Sequence, residues 1–295
     1  MDTIPAKHIL HRNKSTEWFG CDHTMNLYRG CCHGCLYCDS RSDCYHNDKF
    51  DQVRVKADAL RLLRDDLARK IRPALICTGS MSDPYNPFEE KLLYTRRSLE
   101  LADAFQCGVA IATKGDGIVR DIDILTFMQS HSPVICKITL TTLDEELARR
   151  LEPRAPSPAR RLEALRRLSQ AGLFTGVLLM PVLPFLEDSV ENVSAVLEGA
   201  AAAGAKFVYP FFGVTMRQGQ REYFLQRLDQ AFPEENLSRR ILARYGDRYV
   251  CTSPNARRLW AVFSQKCREL GLLFEMKQIV SAATRPYQDR QLSFF

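Results

Sequence analysis

Short apolar runs alternate with amphipathic helical segments through most of the chain, and this alternation limits the fold more than any other feature of the sequence. The predicted strands are residues 25–28, 74–78, 109–113, 134–140, 173–180 and 206–211. The predicted helices that alternate with them are residues 56–71, 89–105, 120–130, 144–151, 158–171 and 187–203. Such alternation predicts a parallel sheet with right-handed crossovers, either an open doubly wound sheet or a full or partial barrel.

The alternation stops after Phe212, and the rest of the chain has a helical period. Residues 217–232, 234–245 and 255–270 are predicted helices, with Trp260, Phe263 and Leu270 as expected core contacts. Residues near the start have no clear periodicity and are predicted to form an arm or cap. The predicted organisation is an N-terminal arm over residues 1–23, a core over 24–215, a helical extension over 216–284 and a flexible tail over 285–295.

Three Cys residues follow the first predicted strand in a spacing typical of a metal-cluster loop. Cys31, Cys35 and Cys38 stand in a C-x3-C-x2-C pattern, so one short loop brings all three thiolates together. A structural zinc site normally has four protein ligands. A cubic iron–sulfur cluster held by three Cys instead leaves one iron free for another ligand.

Other polar groups follow the next predicted strands. Gly79 and Ser80 come after the second strand, Lys114 after the third, and residues 139–142 after the fourth. Because functional groups gather at the carboxyl ends of parallel strands, these groups should face the Cys loop.

The remaining Cys residues leave an alternative open. Eleven Cys is an odd number, and a chain this large and apolar does not need a disulfide framework, so reduced thiols that bind metal fit better. Cys21, Cys32 or Cys44 could complete a four-thiolate site, which would make the protein a closed electron carrier or a zinc-binding module. The others are expected to be buried small apolar residues: Cys77, Cys107, Cys136, Cys251 and Cys267.

Composition narrows the cellular context. The chain has 295 residues, of which 45% are apolar, but no run approaches the roughly 20 apolar residues that a membrane span needs. The first residues lack the apolar region of a secretion signal, so a cytoplasmic protein without a membrane partner is expected. Two clusters of arginine accompany a net charge of +6, over residues 149–167 and 217–248. They indicate either a polyanionic partner or solvated helix faces that nearby acids neutralise.

The run Tyr28-Arg29-Gly30-Cys31-Cys32-His33-Gly34-Cys35-Leu36-Tyr37-Cys38 resembles the cluster loop of radical S-adenosylmethionine (SAM) enzymes, and its flanks resemble the spore photoproduct lyase-like branch. Three further motifs resemble elements of that branch in the same order. They are Thr78-Gly79-Ser80-Met81-Ser82-Asp83-Pro84, Thr113-Lys114 and Leu151-Glu152-Pro153-Arg154. The resemblance implies a partial (β/α)6 TIM-type barrel with a C-terminal helical extension, within the α/β class.

This resemblance also implies a set of cofactors and cofactor contacts. Cys31, Cys35 and Cys38 would hold a [4Fe–4S] cluster, whose open iron would bind SAM, and an external one-electron reductant would be needed. The resemblance implies that Tyr37 is the aromatic residue near the adenine of SAM and that the backbone of Gly79 and Ser80 lies close to the methionyl amine. It also implies that Lys114 is the cation for the methionyl carboxylate and that Thr139 supplies a strand hydroxyl.

Each of these residues also has an ordinary structural explanation. Tyr37 could simply pack in a core, Lys114 could be a solvated loop lysine, and a Thr such as Thr139 is common in strands. No catalytic residue is predicted.

The resemblance implies reductive cleavage of SAM to a 5′-deoxyadenosyl radical that acts on nucleic acid, with DNA favoured, in lyase-like repair or modification. The lyase for which the branch is named carries a hydrogen-donating Cys just after the second strand, where this chain has Gly79-Ser80-Met81-Ser82. Reversal of the thymine photoproduct is therefore in doubt. The alternative function is a non-catalytic iron–sulfur or zinc protein that acts as a nucleic-acid-associated scaffold or redox sensor.

The end of the chain has a separate pattern. Gln291, Leu292, Ser293, Phe294 and Phe295 resemble the short peptide with which bacterial replication and repair proteins bind the sliding clamp. Preceded by a polar tether over residues 285–290, they predict a terminal peptide with apolar anchors for a groove on another protein. Alternatively, the two Phe residues pack on this protein's own core.

Overall fold

The computed structural model describes residues 2–69 and 73–288, and the strands and helices below lie within these residues. The strands are β1 (Thr3–Ile4), β2 (Leu10–Arg12), β3 (His23–Met25), β4 (Tyr28–Arg29), β5 (Arg54–Lys56), β6 (Leu75–Thr78), β7 (Gly108–Thr113), β8 (Val134–Thr139), β9 (Phe174–Leu179), β10 (Phe207–Pro210), β11 (Gly213–Thr215) and β12 (Val250–Thr252). The α-helices are α1 (Ala59–Ala68), α2 (Glu89–Leu92), α3 (Tyr94–Ala104), α4 (Ile122–Gln129), α5 (Glu145–Leu151), α6 (Pro158–Gln170), α7 (Val190–Ala202), α8 (Gln220–Ala231), α9 (Leu237–Tyr245), α10 (Ala256–Glu269) and α11 (Met276–Gln288).

One seven-stranded sheet organises the fold. Its order is β10-β9-β8-β7-β6-β3-β2. The strands from β3 to β10 are parallel to their neighbours, and β2 pairs antiparallel at the edge. The parallel strands follow chain order without the reversal that marks a doubly wound sheet. The partial (β/α)6 TIM-type barrel is therefore confirmed, and the open doubly wound sheet is not the fold.

The six predicted parallel strands are present, with one revision. The first, predicted over residues 25–28, is divided between β3, which belongs to the main sheet, and β4, which pairs with β5 in a small separate sheet. The helix predicted over residues 89–105 is likewise two helices, because Leu93 between them has a positive φ of 55°. None of the helices in the described ranges combines the length and the apolar character that crossing a membrane requires.

The N-terminal arm passes into the concave side of the barrel. Phe19 is fully buried there, with its ring centroid 5.7 Å from that of Phe207 and 5.8 Å from that of Tyr209. Gly176 on β9 leaves room for the Phe207 ring that packs against Phe19, because a Cβ at that position would lie 2.5 Å from the Phe207 ring. Burial of the aromatic ring stabilises the contact between the arm and the sheet.

A disulfide joins the arm to the sheet and corrects two predictions. Cys21 and Cys77 are bonded, with their Cα atoms 5.8 Å apart. Cys77 is therefore not a free buried thiol as predicted, and Cys21 does not complete a metal site. Their separation of 56 positions conceals the pairing in the sequence, because only the path of the arm through the barrel brings the two thiols together.

Lys137 is a buried cation on the concave face. It is fully buried, its Nζ lies 3.8 Å from Cys77 Sγ, and it lies 4.2 Å from the centroid of the Phe19 ring. Among the described residues, no carboxylate lies within ion-pair distance of it. Burial lowers the pKa of Lys137 to about 7.

We expect Lys137→Met to stabilise the protein at pH 6 to 7, by about 1–4 kcal/mol, because an apolar side chain replaces an unpaired buried charge. The folded protein loses the Lys137 proton near pH 7, whereas the unfolded chain keeps it to about pH 10.5, so wild-type stability rises with pH across that window. The advantage of the variant should therefore shrink from pH 7 to pH 10. Urea unfolding without reductant measures this difference in stability between the variant and the wild type. Lys91→Met, on an exposed part of α2, is the control, and an advantage independent of pH would contradict the prediction.

The C-terminal extension contains helices α8 to α11 together with strand β12, which pairs with β11. Phe263 is fully buried, as expected, but Trp260 and Leu270 are 48% and 36% exposed, so the prediction of core contacts at these two positions is wrong. Trp260 instead stacks over the ring of Phe263 from the outer side, with the centroids 5.6 Å apart.

The predicted tail begins as a helix. Residues 285–288, expected to be an extended tether, form the last turn of α11. Residues 289–295, which include the predicted clamp-binding peptide, lie outside the described residues, and that interpretation stays a prediction.

Candidate functional site

The Cys loop follows β4 at the carboxyl-terminal end of the barrel strands. Gly30 begins it with a φ of +83°, and a Cβ there would lie 2.5 Å from the Gln52 carbonyl oxygen, so only glycine fits. The Cys31 backbone amide donates to the Phe50 carbonyl at 2.8 Å, which ties the loop to the segment before β5. These contacts fix where the loop leaves the sheet.

Cys31, Cys35 and Cys38 lie close to one another, and Cys35 is buried while the other two are partly buried. Burial raises the pKa of Cys31, and the neighbouring Asp83, Cys35 and Cys38 raise it further. Burial likewise raises the pKa of Cys35, to about 12, and that of Cys38. A metal site binds the deprotonated form of Cys, so a centre that supplies positive charge would offset the burial that disfavours ionisation of these three thiols.

The two other Cys residues near this loop have different surroundings. Cys32 packs against the barrel core, and Cys44 is exposed, with its Sγ 3.5 Å from Nη1 of Arg217. No group of three or more His, Cys, Asp or Glu side chains in residues 2–69 and 73–288 is arranged to hold a single metal ion. In a cubic cluster, each thiolate binds a different iron, so the arrangement of ligands differs from that of a single-ion site.

Asp83 connects the Cys loop to two strand ends. It is buried, its Oδ2 lies 3.0 Å from His33 Nε2, and its Oδ1 accepts a hydrogen bond from Thr113 Oγ1 at 2.5 Å. The Lys114 backbone amide also donates to it, at 2.8 Å. Burial alone would raise the pKa of Asp83, but His33 and these hydrogen bonds hold it well below its ordinary value. An ionised carboxylate therefore fixes the loop to β7.

Gly79 and Ser80 lie beside the loop, and the structure gives Gly79 a role that the sequence did not suggest. Gly79 has a φ of +94°, and a Cβ there would lie 1.9 Å from the carbonyl oxygen of Ala112, so contact with β7 requires glycine. The Ser80 carbonyl accepts from Ser40 Oγ at 3.2 Å, which links this segment to the residues after Cys38. A role of either residue toward SAM stays a prediction.

Lys114 faces the thiols and a buried carboxylate. Its Nζ lies 3.6 Å from Glu152 Oε1 and 5.5 Å from the centroid of the Tyr37 ring. Burial would lower the pKa of Lys114, but the Cys35 thiol and the Glu152 carboxylate raise it above its ordinary value. Lys114 is thus a cation at the cluster loop and not a solvated loop lysine, although its predicted contact with SAM is untested.

Glu152 is the centre of a buried network that the sequence did not predict as a unit. It accepts hydrogen bonds from the Tyr37 hydroxyl and from the Arg161 guanidinium, and the side chains of Glu152 and Arg161 are each 2% exposed. Burial would raise the pKa of Glu152, but Arg161 and Lys114 lower it. Arg161 also donates to the Thr139 carbonyl at 3.2 Å, which connects the network to the end of β8. The only sequence signal was the Leu151-Glu152-Pro153-Arg154 motif.

Glu187 is a second carboxyl group that sequence reasoning missed. It lies in the loop after β9, fully buried, where its Oε2 accepts a hydrogen bond from the Leu183 amide at 3.0 Å. Its Oε1 has no hydrogen-bond partner among the described residues. Burial raises the pKa of Glu187 to about 8, and nearby Glu152 contributes to the shift.

Thr139 is the last of the five residues predicted to contact SAM. It lies at the end of β8, and it is 8% exposed.

Comparison of the sequence with known proteins agrees with the Cys loop and barrel described above. The family model of the radical SAM superfamily matches residues 25–195. An uncharacterized protein of Mycobacterium tuberculosis is 33% identical over 234 residues, which cover 77% of this chain and 67% of that protein. An uncharacterized protein of Methanocaldococcus jannaschii is 30% identical over 218 residues, which cover 73% of this chain and 78% of that protein.

Solved structures are similar in fold at low sequence identity. Spore photoproduct lyase complexed with dinucleoside spore photoproduct superposes with a TM-score of 0.66 and 14% identity, covering 92% of this chain and 81% of that chain. The radical SAM methyltransferase TsrM from Kitasatospora setae has a TM-score of 0.54 and 11% identity, covering 84% and 51% respectively. At these identities, the likeness concerns the fold alone.

Proposed function

Because the chain belongs to the radical SAM superfamily, we propose that it is an enzyme that cleaves SAM reductively and uses the product to modify or repair nucleic acid, with DNA favoured. The observation that carries the proposal is the convergence of three thiols, one buried and two partly buried, and the Lys114 cation at the carboxyl-terminal mouth of the barrel. When bound there, a [4Fe–4S] cluster with one open iron supplies the electron that splits SAM into methionine and a 5′-deoxyadenosyl radical.

The residues around the thiols would bind and orient the cofactors. Cys31, Cys35 and Cys38 would hold the cluster. Lys114 would pair with the methionyl carboxylate of SAM, as a point cation in a site shielded from water. Glu152 would keep Lys114 in place, because its carboxylate lies 3.6 Å from Nζ and is itself fixed by two other donors.

Tyr37, Gly79, Ser80 and Thr139 are the other residues that we propose for the SAM site. Their support is position, since the Cys loop and the ends of β6 and β8 meet at one end of the barrel. Tyr37 would act mainly through its backbone, because its hydroxyl is already bonded to Glu152. Gly79 would act through the space it leaves at the end of β6, where a larger residue would collide with β7.

Nucleic acid is proposed as the substrate on two grounds. The spore photoproduct lyase structure of similar fold contains a dinucleoside, and the C-terminal extension of this chain is rich in arginine. Reversal of the thymine photoproduct is not the reaction we favour. Residues 79–82 contain no Cys, and the nearby Cys77 is in a disulfide. Another residue would have to donate hydrogen to the substrate radical, or the enzyme would carry out a different reaction.

The test is direct. Protein reconstituted without oxygen, then given SAM and dithionite, should yield 5′-deoxyadenosine and methionine, measured by liquid chromatography and mass spectrometry. Reactions without dithionite or without protein are the controls. A protein with full iron content and cluster absorbance that yields neither product would contradict the enzyme class and leave the non-catalytic scaffold or redox sensor.

The substrate class has its own readout in the same assay. With perdeuterated DNA present, 5′-deoxyadenosine should gain deuterium if the radical takes hydrogen from DNA. Perdeuterated RNA of the same sequence is the matched comparison. Cleavage of SAM with no deuterium from either polymer would keep the enzyme class and remove nucleic acid as the substrate.

A further inference from the structure

The two arginine clusters of the sequence differ in the structure. In the first, three exposed arginines on α5 and α6 have acidic partners: Arg149 with Glu146, Arg160 with Asp116 and Arg166 with Glu163. These pairs fit solvated helix faces that nearby acids neutralise.

The second cluster contains arginines without such partners. Arg239, Arg240, Arg244 and Arg248 are exposed, and within the part of the chain that the structure describes, none of them lies within ion-pair distance of a carboxylate. Asp247 is the one acidic residue among residues 239–250. The exposed residues among these twelve form a surface, here called the arginine face, that carries four arginines and a single acidic residue.

The arginine face is held rigidly. Leu237, Ile241 and Tyr245 on α9 are buried in the C-terminal core, which anchors this helix. The Arg221 guanidinium donates to the Gly246 carbonyl and, at 2.8 Å, to the Arg248 carbonyl, which fixes the loop between α9 and β12. A surface ordered in this way loses little conformational entropy when a ligand binds.

Contacts at two points place the arginine face beside the barrel mouth. The Arg240 guanidinium lies 4.5 Å from the centroid of the Phe185 ring, in the loop that follows β9. At the other point, Arg217 donates to the Tyr249 hydroxyl at 2.6 Å and lies 3.5 Å from Cys44 Sγ, in the segment that follows the cluster Cys residues. A polymer on this face would therefore run along the rim of the proposed active site.

The chemistry of the face favours one kind of polymer. Arginine guanidinium groups match the geometry of phosphate oxygens. Tyr249 is 45% exposed, and the Arg217 guanidinium lies 4.6 Å from its ring centroid. An exposed aromatic ring next to spaced cations is the combination that binds unpaired bases and their backbone.

We propose that the arginine face is the docking surface for a single-stranded stretch of nucleic acid, with phosphates on Arg239, Arg244 and Arg248 and one base stacked on Tyr249. The inference rests on the proposed function, in that the docked strand is the substrate of the same site. It assigns the recognition of the strand to the C-terminal extension and leaves the barrel to the cofactors.

The test is binding of a fluorescein-labelled single-stranded oligonucleotide to reconstituted full-length protein, followed by anisotropy over a range of salt concentrations. The triple variant Arg239→Gln/Arg244→Gln/Arg248→Gln should bind about tenfold or more weakly. Its plot of log affinity against log salt should be shallower by about 2, because each phosphate that an arginine neutralises contributes roughly 0.7 to the slope. Tyr249→Leu should weaken binding about tenfold with the salt slope unchanged.

Matched controls separate this result from a general effect of charge. Arg149→Gln/Arg160→Gln/Arg166→Gln removes three arginines from α5 and α6 and should bind as the wild type does. All of these variants should still cleave SAM with dithionite in the absence of nucleic acid. Polyglutamate at the same charge concentration should compete poorly.

Three outcomes would overturn the docking surface alone: equal binding by the face variant, equal loss in the control variant, or full displacement by polyglutamate, which would indicate an acidic protein partner. If the wild type binds no oligonucleotide, the proposed nucleic-acid substrate fails together with the docking surface. The deuterium readout then shows this independently, and the cleavage of SAM still reports on the enzyme class.

Discussion

Replacing Cys31, Cys35 or Cys38 by Ala should reduce 5′-deoxyadenosine formation to the assay background and should remove most of the iron and the cluster absorbance. The three thiols lie close together, so loss of any one of them would leave a second iron of the cluster with no protein ligand. The folded barrel should survive, because these side chains lie in a loop outside the main sheet. Iron analysis, visible absorbance and circular dichroism on the same samples measure the three effects.

Cys32→Ala and Cys44→Ala are the matched controls, since both residues lie in or near the same loop. Cys32 packs against the barrel core and Cys44 is exposed beside Arg217. Each variant should keep its iron and its cleavage of SAM. Loss of the cluster in either one would instead support the closed four-thiolate site, and with it the non-catalytic alternative.

The parallel barrel could be predicted because its signals are local. Each strand from β6 to β10 is an apolar run, and Lys137 on β8 does not disguise that pattern. Amphipathic helices separate the runs, so order and crossovers follow from general rules. By contrast, β4, β5 and β11 have only two or three residues each, too few for a period to be recognised.

Contacts between distant parts of the chain could not be predicted in this way. The Cys21–Cys77 disulfide depends on the path of the arm through the barrel, which no spacing records. The exposure of Trp260 has a similar origin. Its position on α10 suits a core residue, but the inner side of the helix is already filled by Leu259, Phe263 and Cys267.

In the candidate site as well, features within one motif could be predicted, whereas contacts between distant segments could not. The proximity of Cys31, Cys35 and Cys38 could be predicted because they lie within one short motif, and the position of Lys114 near them could be predicted because it follows a strand. The hydrogen bonds of Glu152 to Tyr37 and Arg161 join three separate segments, so no single motif contains them. Glu187 gave no signal, because one acidic residue after a strand is common in loops. What distinguishes it is burial, which only the folded chain creates.

Among the charge pairs of the described residues, we expect the pair of Glu152 and Arg161 to stabilise the folded protein the most. In Glu152→Gln, the side chain keeps its shape, but Arg161 becomes an unpaired cation in a site that is 2% exposed. Breaking a buried ion pair costs about 3–5 kcal/mol, so the midpoint of urea unfolding should fall clearly. Because Lys114 loses its carboxylate neighbour, the KM for SAM should also rise.

The pH dependence and a second substitution distinguish this network from ordinary surface electrostatics. The pKa of Glu152 is lowered in the folded protein, so its stabilisation is complete above pH 4.5, its value in the unfolded chain, and is lost as the pH falls through the folded value. The difference between variant and wild type should therefore narrow below pH 4.5. Glu146→Gln removes a carboxylate from the exposed pair with Arg149 and should cost less than about 1 kcal/mol. Equal losses in the two variants, or a gap that persists at low pH, would mean that the Glu152 carboxylate charge does not hold this end of the barrel together.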